Sequence, residues 1–267
     1  MKAISGYPMS MVALLRAQFR VIVAIMLRDI RTRFFGHGLG FLIAIAWPLL
    51  HVLILIGLFT SFGRGTPYGE SMVVFFATGL VPFFAFSYMS RFTMFSLVTN
   101  RPLLVFPAIK VLDILLARAL LEILGSFCSI ILLLIIFWLL DIDFTPADTV
   151  EATFALGAAM LLGAGFGILN GIIAMAVPTW ATGYALVIIV LYMISGILFV
   201  SDSLPETVRY YVSFNPALQA VEWMRSAYYP DYSSILDKRY AIWWGLGTIF
   251  IGLLIERLVR GRLLANG

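Results

Sequence analysis

Few side chains in this sequence are equipped for chemistry, and most stand alone among apolar residues. The two histidines, His37 and His51, are too far apart in sequence to form a local metal motif. Neither an H-E-x-x-H pair nor a G-x-x-x-x-G-K-[ST] phosphate loop occurs, so nucleotide is not held in that way. Acidic residues fall mostly in loops, with no close pair inside an apolar run. That distribution argues against intramembrane proteolysis, glycosyl transfer and proton-coupled transport, which need carboxylates within the membrane. What remains are His51, Arg91, the i,i+4 pair Arg118 and Glu122, and the i,i+3 pair Glu222 and Arg225. An ionisable residue inside a membrane span is a functional candidate. His51 fits that role and equally fits a neutral imidazole bonded across helices. Arg91 fits either a contact to an anion or a snorkelling anchor. Arg118 and Glu122 read as structural.

The elements that must carry these residues are membrane helices. Of 267 residues, 62% are hydrophobic and only 12% are charged, with a mean hydropathy of +1.01. A soluble domain is nearer half apolar and a quarter charged, so this is an all-α integral membrane protein. The lone Cys128 cannot form an internal disulfide and sits mid-span. The first apolar span follows an Arg-rich segment and is too long for a signal-peptide core, so no cleavable signal is expected. The whole chain, 1–267, reads as one transmembrane domain.

Residues 10–35 pattern as an amphipathic helix with Leu15, Phe19, Ile22, Met26 and Ile30 on one stripe and Arg16, Arg20, Arg28 and Arg31 on another. Such a helix lies in the membrane interface. Six spans follow, at about 39–62, 71–98, 112–140, 152–177, 182–200 and 240–258. Pro48 falls inside the first and Pro82 inside the second. The fourth carries Gly157, Gly163, Gly165, Gly167 and Gly171, a density that lets helices approach closely. Between spans two and three, Pro102 and Pro107 bracket a short rigid turn whose apolar tip, Leu103, Leu104 and Phe106, needs a partner.

Orientation follows from basic residues. With the N-terminus inside, Lys2, Arg16, Arg20, Arg28, Arg31, Arg33, Arg101, Lys110, Arg118, Arg257, Arg260 and Arg262 lie on the inner side. Only Arg64, Arg209, Arg225, Lys238 and Arg239 lie outside. The positive-inside rule then sets both termini in the cytoplasm.

The segment 201–239 then faces outward. It is too apolar for a free loop and too charged to cross a bilayer. Pro205 and Pro216 each open a short amphipathic run, and Asn215 before Pro216 reads as an N-cap. Two short helices, Pro205–Ser213 and Pro216–Tyr228, are expected as a re-entrant hairpin. Its charged residues, Arg209, Glu222 and Arg225, must face water, headgroups or each other, with Glu222 and Arg225 pairing on one helix face. Two roles fit: passive interfacial helices, or an outer gate made by Pro205, Arg209, Asn215, Pro216, Glu222 and Arg225.

Several motifs, taken together, resemble the ABC-2 type export permeases, in particular their capsular-polysaccharide branch and its O-antigen relatives. They are LRDIRTRF at Leu27–Phe34, LGFLIAIAWPLLH at Leu39–His51, NRPLLVFPAIKVLDILLARALLE at Asn100–Glu122, and the outer segment with Leu204–Pro205, Asn215–Pro216 and Arg225. Trp47 stands where relatives often carry an acidic residue before the span-one proline. The resemblance implies the permease subunit of a bacterial inner-membrane exporter, with no catalysis or cofactor on this chain. Two copies would form the channel, and two ATPase subunits would bind ATP and Mg and supply the work. The cargo would be a lipid-linked polysaccharide passed to a periplasmic adaptor and an outer-membrane exporter. The ATPase would contact Arg28, Asp29, Arg31 and Arg33 on the first helix and Arg101, Leu103, Leu104, Phe106 and Pro107 in the turn. Spans one, two and five would line the path with Trp47, His51, Phe83, Phe86, Tyr88, Arg91, Tyr184 and Tyr192.

Overall fold

The structure is a computed structural model that describes residues 10–32, 39–62, 65–106, 108–233 and 235–265. Within these residues the chain is helical and no strand occurs. The helices are α1 (Met11–Thr32), α2 (Leu39–Ser61), α3 (Met72–Thr99), α4 (Val111–Leu139), α5 (Thr149–Ala176), α6 (Trp180–Ile194), α7 (Glu206–Ser213), α8 (Pro216–Tyr228) and α9 (Lys238–Ala265). Short 3-10 turns cover Arg101–Val105 and Ser201–Ser203. Among the described residues, α3, α4, α5 and the Lys238–Val259 part of α9 are long and apolar enough to cross a membrane. The apolar stretches Ile45–Ser61 and Trp180–Ile194 are shorter.

These bounds follow the hydrophobic pattern closely except at α6. An apolar run is expected from about 182 to 200, but the helix ends at Ile194. Gly196 adopts a positive φ of 74°, and residues 195–200 continue as irregular backbone, buried except for the half-buried Leu198 and Phe199. A glycine takes that conformation without the steric cost a side chain would bring.

α3 is the centre of the bundle. From Val74 to Ser90 every residue but Val81 is buried. Ser71 caps its start, its side chain accepting from Val74 N. α5 lies along α3 on a glycine stripe. A Cβ on Gly163 would fall 2.5 Å from Phe86 O, and one on Gly167 would fall 2.5 Å from Thr93 Cβ and 2.7 Å from Ser90 O. Gly171 meets Leu97 in the same way. These residues recur every fourth position, the small-xxx-small spacing that brings helix backbones together. On the other side of α5, Gly165 faces Thr248 and Gly245 of α9. The expected role of the span-four glycines is thus realised against two partners.

α4 packs against α1, α2 and α3. Pro48 in α2 has no N–H to donate to the preceding turn. The Ser129 hydroxyl of α4 donates to the Ile45 carbonyl in that turn at 2.9 Å, tying the two helices beside the proline. α1 divides its apolar residues: Ile22 and Ile25 are buried against α4, whereas Leu15 and Phe19 face outward.

Replacing Gly167 by Val would force α3 and α5 apart. Overpacking of this kind costs roughly 1–3 kcal/mol. A lowered unfolding temperature in detergent is expected. Gly157→Ala, where a Cβ meets nothing within 4 Å, should raise stability by up to about 1 kcal/mol through helix propensity. Equal thermal stability of the two variants would contradict this packing.

Candidate functional site

Polar groups cluster in three places: the outer segment, an open ledge beside α2, and the end of the bundle where α1 meets the 3-10 turn Arg101–Val105.

In the outer segment the two expected short helices are α7 and α8, and they differ sharply. α7 has no buried residue, and Val208, Tyr210 and Tyr211 are exposed. α8 is almost wholly buried, packed against α3, α5 and α9. Asn215 caps α8 by accepting from Ala217 N at 3.0 Å. Its Nδ2 donates to Ile194 O at 3.2 Å and to Ser195 Oγ at 3.0 Å, at the end of α6. Arg225 is fully buried. Its guanidinium donates from Nη1 to Phe199 O at 2.8 Å and from Nη2 to Ile197 O at 3.2 Å. It also lies 4.0 Å over the Phe75 ring, a cation–π contact. Gly79 of α3 gives this group room, since a Cβ there would fall 3.2 Å from Ile197 Cα and 3.3 Å from Arg225 Nη2.

Glu222 is fully buried as well and accepts from Ser201 Oγ at 2.9 Å and Tyr232 OH at 3.0 Å. Burial raises its carboxyl above the usual carboxylate range, opposed by the nearby Arg225 charge and by these hydrogen bonds. The expected pairing of Glu222 with Arg225 on one helix face is corrected: no direct ion pair joins them. Both residues point into the protein, where Arg225 serves backbone carbonyls and Glu222 serves hydroxyls. Arg209 instead forms a surface ion pair with Asp202 at 2.6 Å. Pro205 precedes α7, exposed, and Pro216 begins α8.

The ledge gathers four of the residues expected to line a path. His51 Nδ1 and Tyr88 OH are 3.1 Å apart, and the His51 ring stacks on Phe84 with centroids 4.3 Å apart. Trp47, one turn before His51, reaches the Tyr88 side chain. Arg91 lies within electrostatic reach of His51, Tyr88 and Tyr184. Trp47, His51 and Arg91 are exposed, and Tyr88 is buried beneath them. Arg91 heads the only exposed stripe in the second half of α3, with Phe95 and Thr99 at i+4 and i+8.

The other expected lining residues lie elsewhere. Phe83 and Phe86 are 1% exposed, inside the protomer's own core. Tyr184 is also buried, sharing a hydrogen bond with Ser90. Tyr192 is partly buried and packs edge-on against Phe83 at 5.5 Å. The cause is the central place of α3: a helix surrounded by α4, α5 and α8 has little surface left to line anything.

At the third cluster, Arg28 is hydrogen-bonded to Asn100, the C-cap of α3. Gln18 is hydrogen-bonded to Asp113 in the first turn of α4. Asp29 is buried, 4.0 Å from Arg118 Nη1. Arg31 is exposed, while Arg33 and Pro107 lie outside the described residues. Arg101 is half-buried. The expected apolar tip shifts by one position. Residues three apart share a face in a 3-10 turn, so Pro102 and Val105 point outward while Leu104 turns into the core with Ile22 and Ile114. Leu103 is half-buried, and the exposed apolar residues are Val105 and Phe106.

The profile of the ABC-2 type transporter family matches residues 20–229, from within α1 to just past the end of α8. The chain belongs to the ABC-2 type transporter family. Apart from Gln18 and Tyr232, the residues of the three polar clusters lie inside the matched region. Among known proteins, the polysialic acid transport protein KpsM of Escherichia coli is 33% identical over 237 residues, covering 88% of this chain and 92% of the relative. The capsule polysaccharide export inner-membrane protein CtrC of Neisseria meningitidis serogroup A is 27% identical over 248 residues, 91% of this chain and 93% of the relative. The capsule polysaccharide export inner-membrane protein BexB of Haemophilus influenzae is 27% identical over 218 residues, 81% of this chain and 82% of the relative.

Within this ABC-2 chain, sequence reasoning missed the depth of Arg225 and the involvement of Asp29 with Arg118. A signal for the first was present: Arg225 directly follows a run, Ala217–Met224, that is apolar except for Gln219 and Glu222. Arg225→Met would leave two buried carbonyls without donors and Glu222 without its neighbouring cation. Removing one member of such a buried charged group costs on the order of 3 kcal/mol or more. A much reduced yield of folded protein and a lower unfolding temperature are expected. Asp202→Ala, which breaks only the surface pair with Arg209, should change neither by more than about 1 kcal/mol.

Proposed function

We propose that this chain is the membrane permease of an ATP-driven exporter that moves lipid-linked capsular polysaccharide across a bacterial inner membrane. The observation that carries this reading is similarity over most of the chain to several relatives, each named for polysialic acid transport or capsule polysaccharide export. ATP hydrolysis belongs to a separate subunit, with ATP and Mg bound there. The absence of a phosphate loop from the sequence supports that division.

In this reading α2 to α6 and α9 are six spans with both termini in the cytoplasm, as the distribution of basic residues suggests. α7 and α8 form the re-entrant outer segment. Two copies meet through α2 and α6, which carry exposed apolar residues such as Leu50, Ile54, Leu186, Ile189 and Val190. The ledge of Trp47, His51 and Arg91 then faces the path between them. Aromatic and hydrogen-bonding groups suit sugar rings, and the Arg91 guanidinium suits the anionic groups of an acidic polymer or its lipid phosphate. A periplasmic adaptor and an outer-membrane exporter receive the polymer beyond α7.

The ATPase docks at the end of the bundle that carries Val105 and Phe106. Arg28 ties α1 to the cap of α3, beside this turn, so a push on the turn is passed to α1 and α3 together.

Two experiments test the reading. Deleting the gene should leave full-length polysaccharide inside the cell and none at the surface, measured by antibody before and after permeabilisation. Normal surface polymer would sink the proposal, and loss of a drug or lipid efflux phenotype instead would point to a different cargo. Phe106→Asp should abolish copurification with the ATPase subunit while the chain still inserts in the membrane, because it sets an unpaired charge in an apolar contact. Undiminished copurification would move the docking surface elsewhere.

A further inference from the structure

The four side chains of the ledge come from adjacent turns of two helices. Trp47 and His51 are four apart on α2, and Tyr88 and Arg91 are three apart on α3, so each pair shares a helix face. His51 is held on two sides. Its ring stacks on Phe84, one turn before Tyr88, and its Nδ1 lies 3.1 Å from Tyr88 OH.

Tyr88 decides which ring nitrogen of His51 carries a proton. An indole N–H can only donate, so Trp47 donates to the Tyr88 oxygen. Tyr88 is buried, and its own O–H has one remaining partner among the described residues, His51 Nδ1. A buried hydroxyl proton left unpaired costs about 1–3 kcal/mol. Tyr88 therefore donates to Nδ1, and neutral His51 carries its proton on Nε2, at the ring edge turned away from Tyr88.

Arg91 completes the set. It is exposed and makes no hydrogen bond or ion pair among the described residues. Its guanidinium carries donors only. The two acceptors, the Tyr88 oxygen and His51 Nδ1, are already occupied. Glu122, the carboxylate that acts on Tyr88 through space, is ion-paired with Arg118. These four side chains thus present N–H donors, one group of them charged, and no free acceptor.

We propose that His51 Nε2 and the Arg91 guanidinium bind one oxyanion of the cargo, a sugar carboxylate or a lipid phosphate, and that Tyr88 is the positioning residue that keeps His51 a donor. Hydrogen bonds to an ionised group are roughly twice as strong as neutral ones. A neutral sugar hydroxyl accepting from the same donors gains no such charge. That cargo reaches the ledge rests on the export reading above; the tautomer and the anion binding do not.

The test uses the full chain in phosphatidylcholine nanodiscs. Nitrogen-15 NMR of labelled histidine, with His37→Gln to assign the signals, should show His51 protonated at Nε2 and bare at Nδ1. Tyr88→Phe should leave a mixture of tautomers. Calorimetry then compares a galacturonate oligomer with its carboxyl-reduced form, and glycerophosphoglycerol with glycerol. At least one anion should bind about tenfold tighter than its uncharged counterpart, a difference of about 1.4 kcal/mol. Which anion does so names the source of the oxyanion. His51→Gln, whose amide nitrogen can stand where Nε2 stands, should keep that preference. His51→Asn, whose amide nitrogen stands nearer Nδ1, should lose it, as should Arg91→Gln. A proton on Nδ1 in the unaltered chain, no preference for either anion, or equal loss in His51→Gln and His51→Asn would each overturn the assignment. The NMR result on the unaltered chain stands even if a variant folds poorly. None of these outcomes depends on export, so failure here leaves the proposed function standing.

Discussion

Fifteen residues of helix rise only about 22 Å, short of the ~30 Å hydrocarbon core of a bilayer. α6 therefore stops early, and buried irregular backbone follows it. Carbonyls without donors away from water cost several kcal/mol each unless another group in the protein serves them. Arg225 serves two of them, and Asn215 serves the last turn of the helix. Both residues come from the start and end of α8, so α8 must lie inside the bundle, against α3 and α5. Gly79 on α3 and Gly196 in the loop keep that space clear. The burial of α8, the close contact with α3 and the break in α6 are thus one constraint met from three sides.

That constraint also divides the outer segment. α8 is fixed by its hydrogen bonds and by Glu222, Ser201 and Tyr232 around it. The first turns of α5 and α9 and the middle of α8 are joined near it by Glu151, which accepts from Trp223 at 2.5 Å and Lys238 at 2.7 Å. α7 has no buried residue and is held near its ends, by the surface pair Arg209–Asp202, by Gln219 donating to Ser213 O at 2.8 Å and by Tyr240 OH donating to Phe214 O at 2.8 Å. Displacing α8 would strand a buried guanidinium and a buried carboxylate together, a cost that displacing α7 would not carry.

At the other end, side-chain hydrogen bonds perform a similar service between elements. Gln18 and Arg28 fasten α1 to the start of α4 and the end of α3. Leu104 anchors the 3-10 turn in the same apolar cluster as Ile22 and Ile114. α1, the turn and the two helices it connects therefore behave as one packed unit, with Val105 and Phe106 left outside it.

The sequence by itself determined the helices and their sites of contact by size. Apolar runs, prolines and the glycine spacing of α5 fix where helices begin, end and approach, because hydrophobic length and backbone sterics are local properties. The membrane class, the family and the two short outer helices were legible for the same reason, as was the structural Arg118–Glu122 pair at i,i+4. Which side chains face inward was decided by tertiary structure alone. Phe83, Phe86 and Tyr184 look like lining residues in an apolar alphabet, yet lie in the core because α3 is surrounded. Leu104 and Val105 differ by one position and point opposite ways because the turn is 3-10. Glu222 and Arg225 look like a mutual pair by spacing, but their partners are carbonyls and hydroxyls up to 28 residues away in the chain. In a chain that is apolar on nearly every side, periodicity no longer distinguishes inside from outside, so packing against neighbouring helices makes that choice.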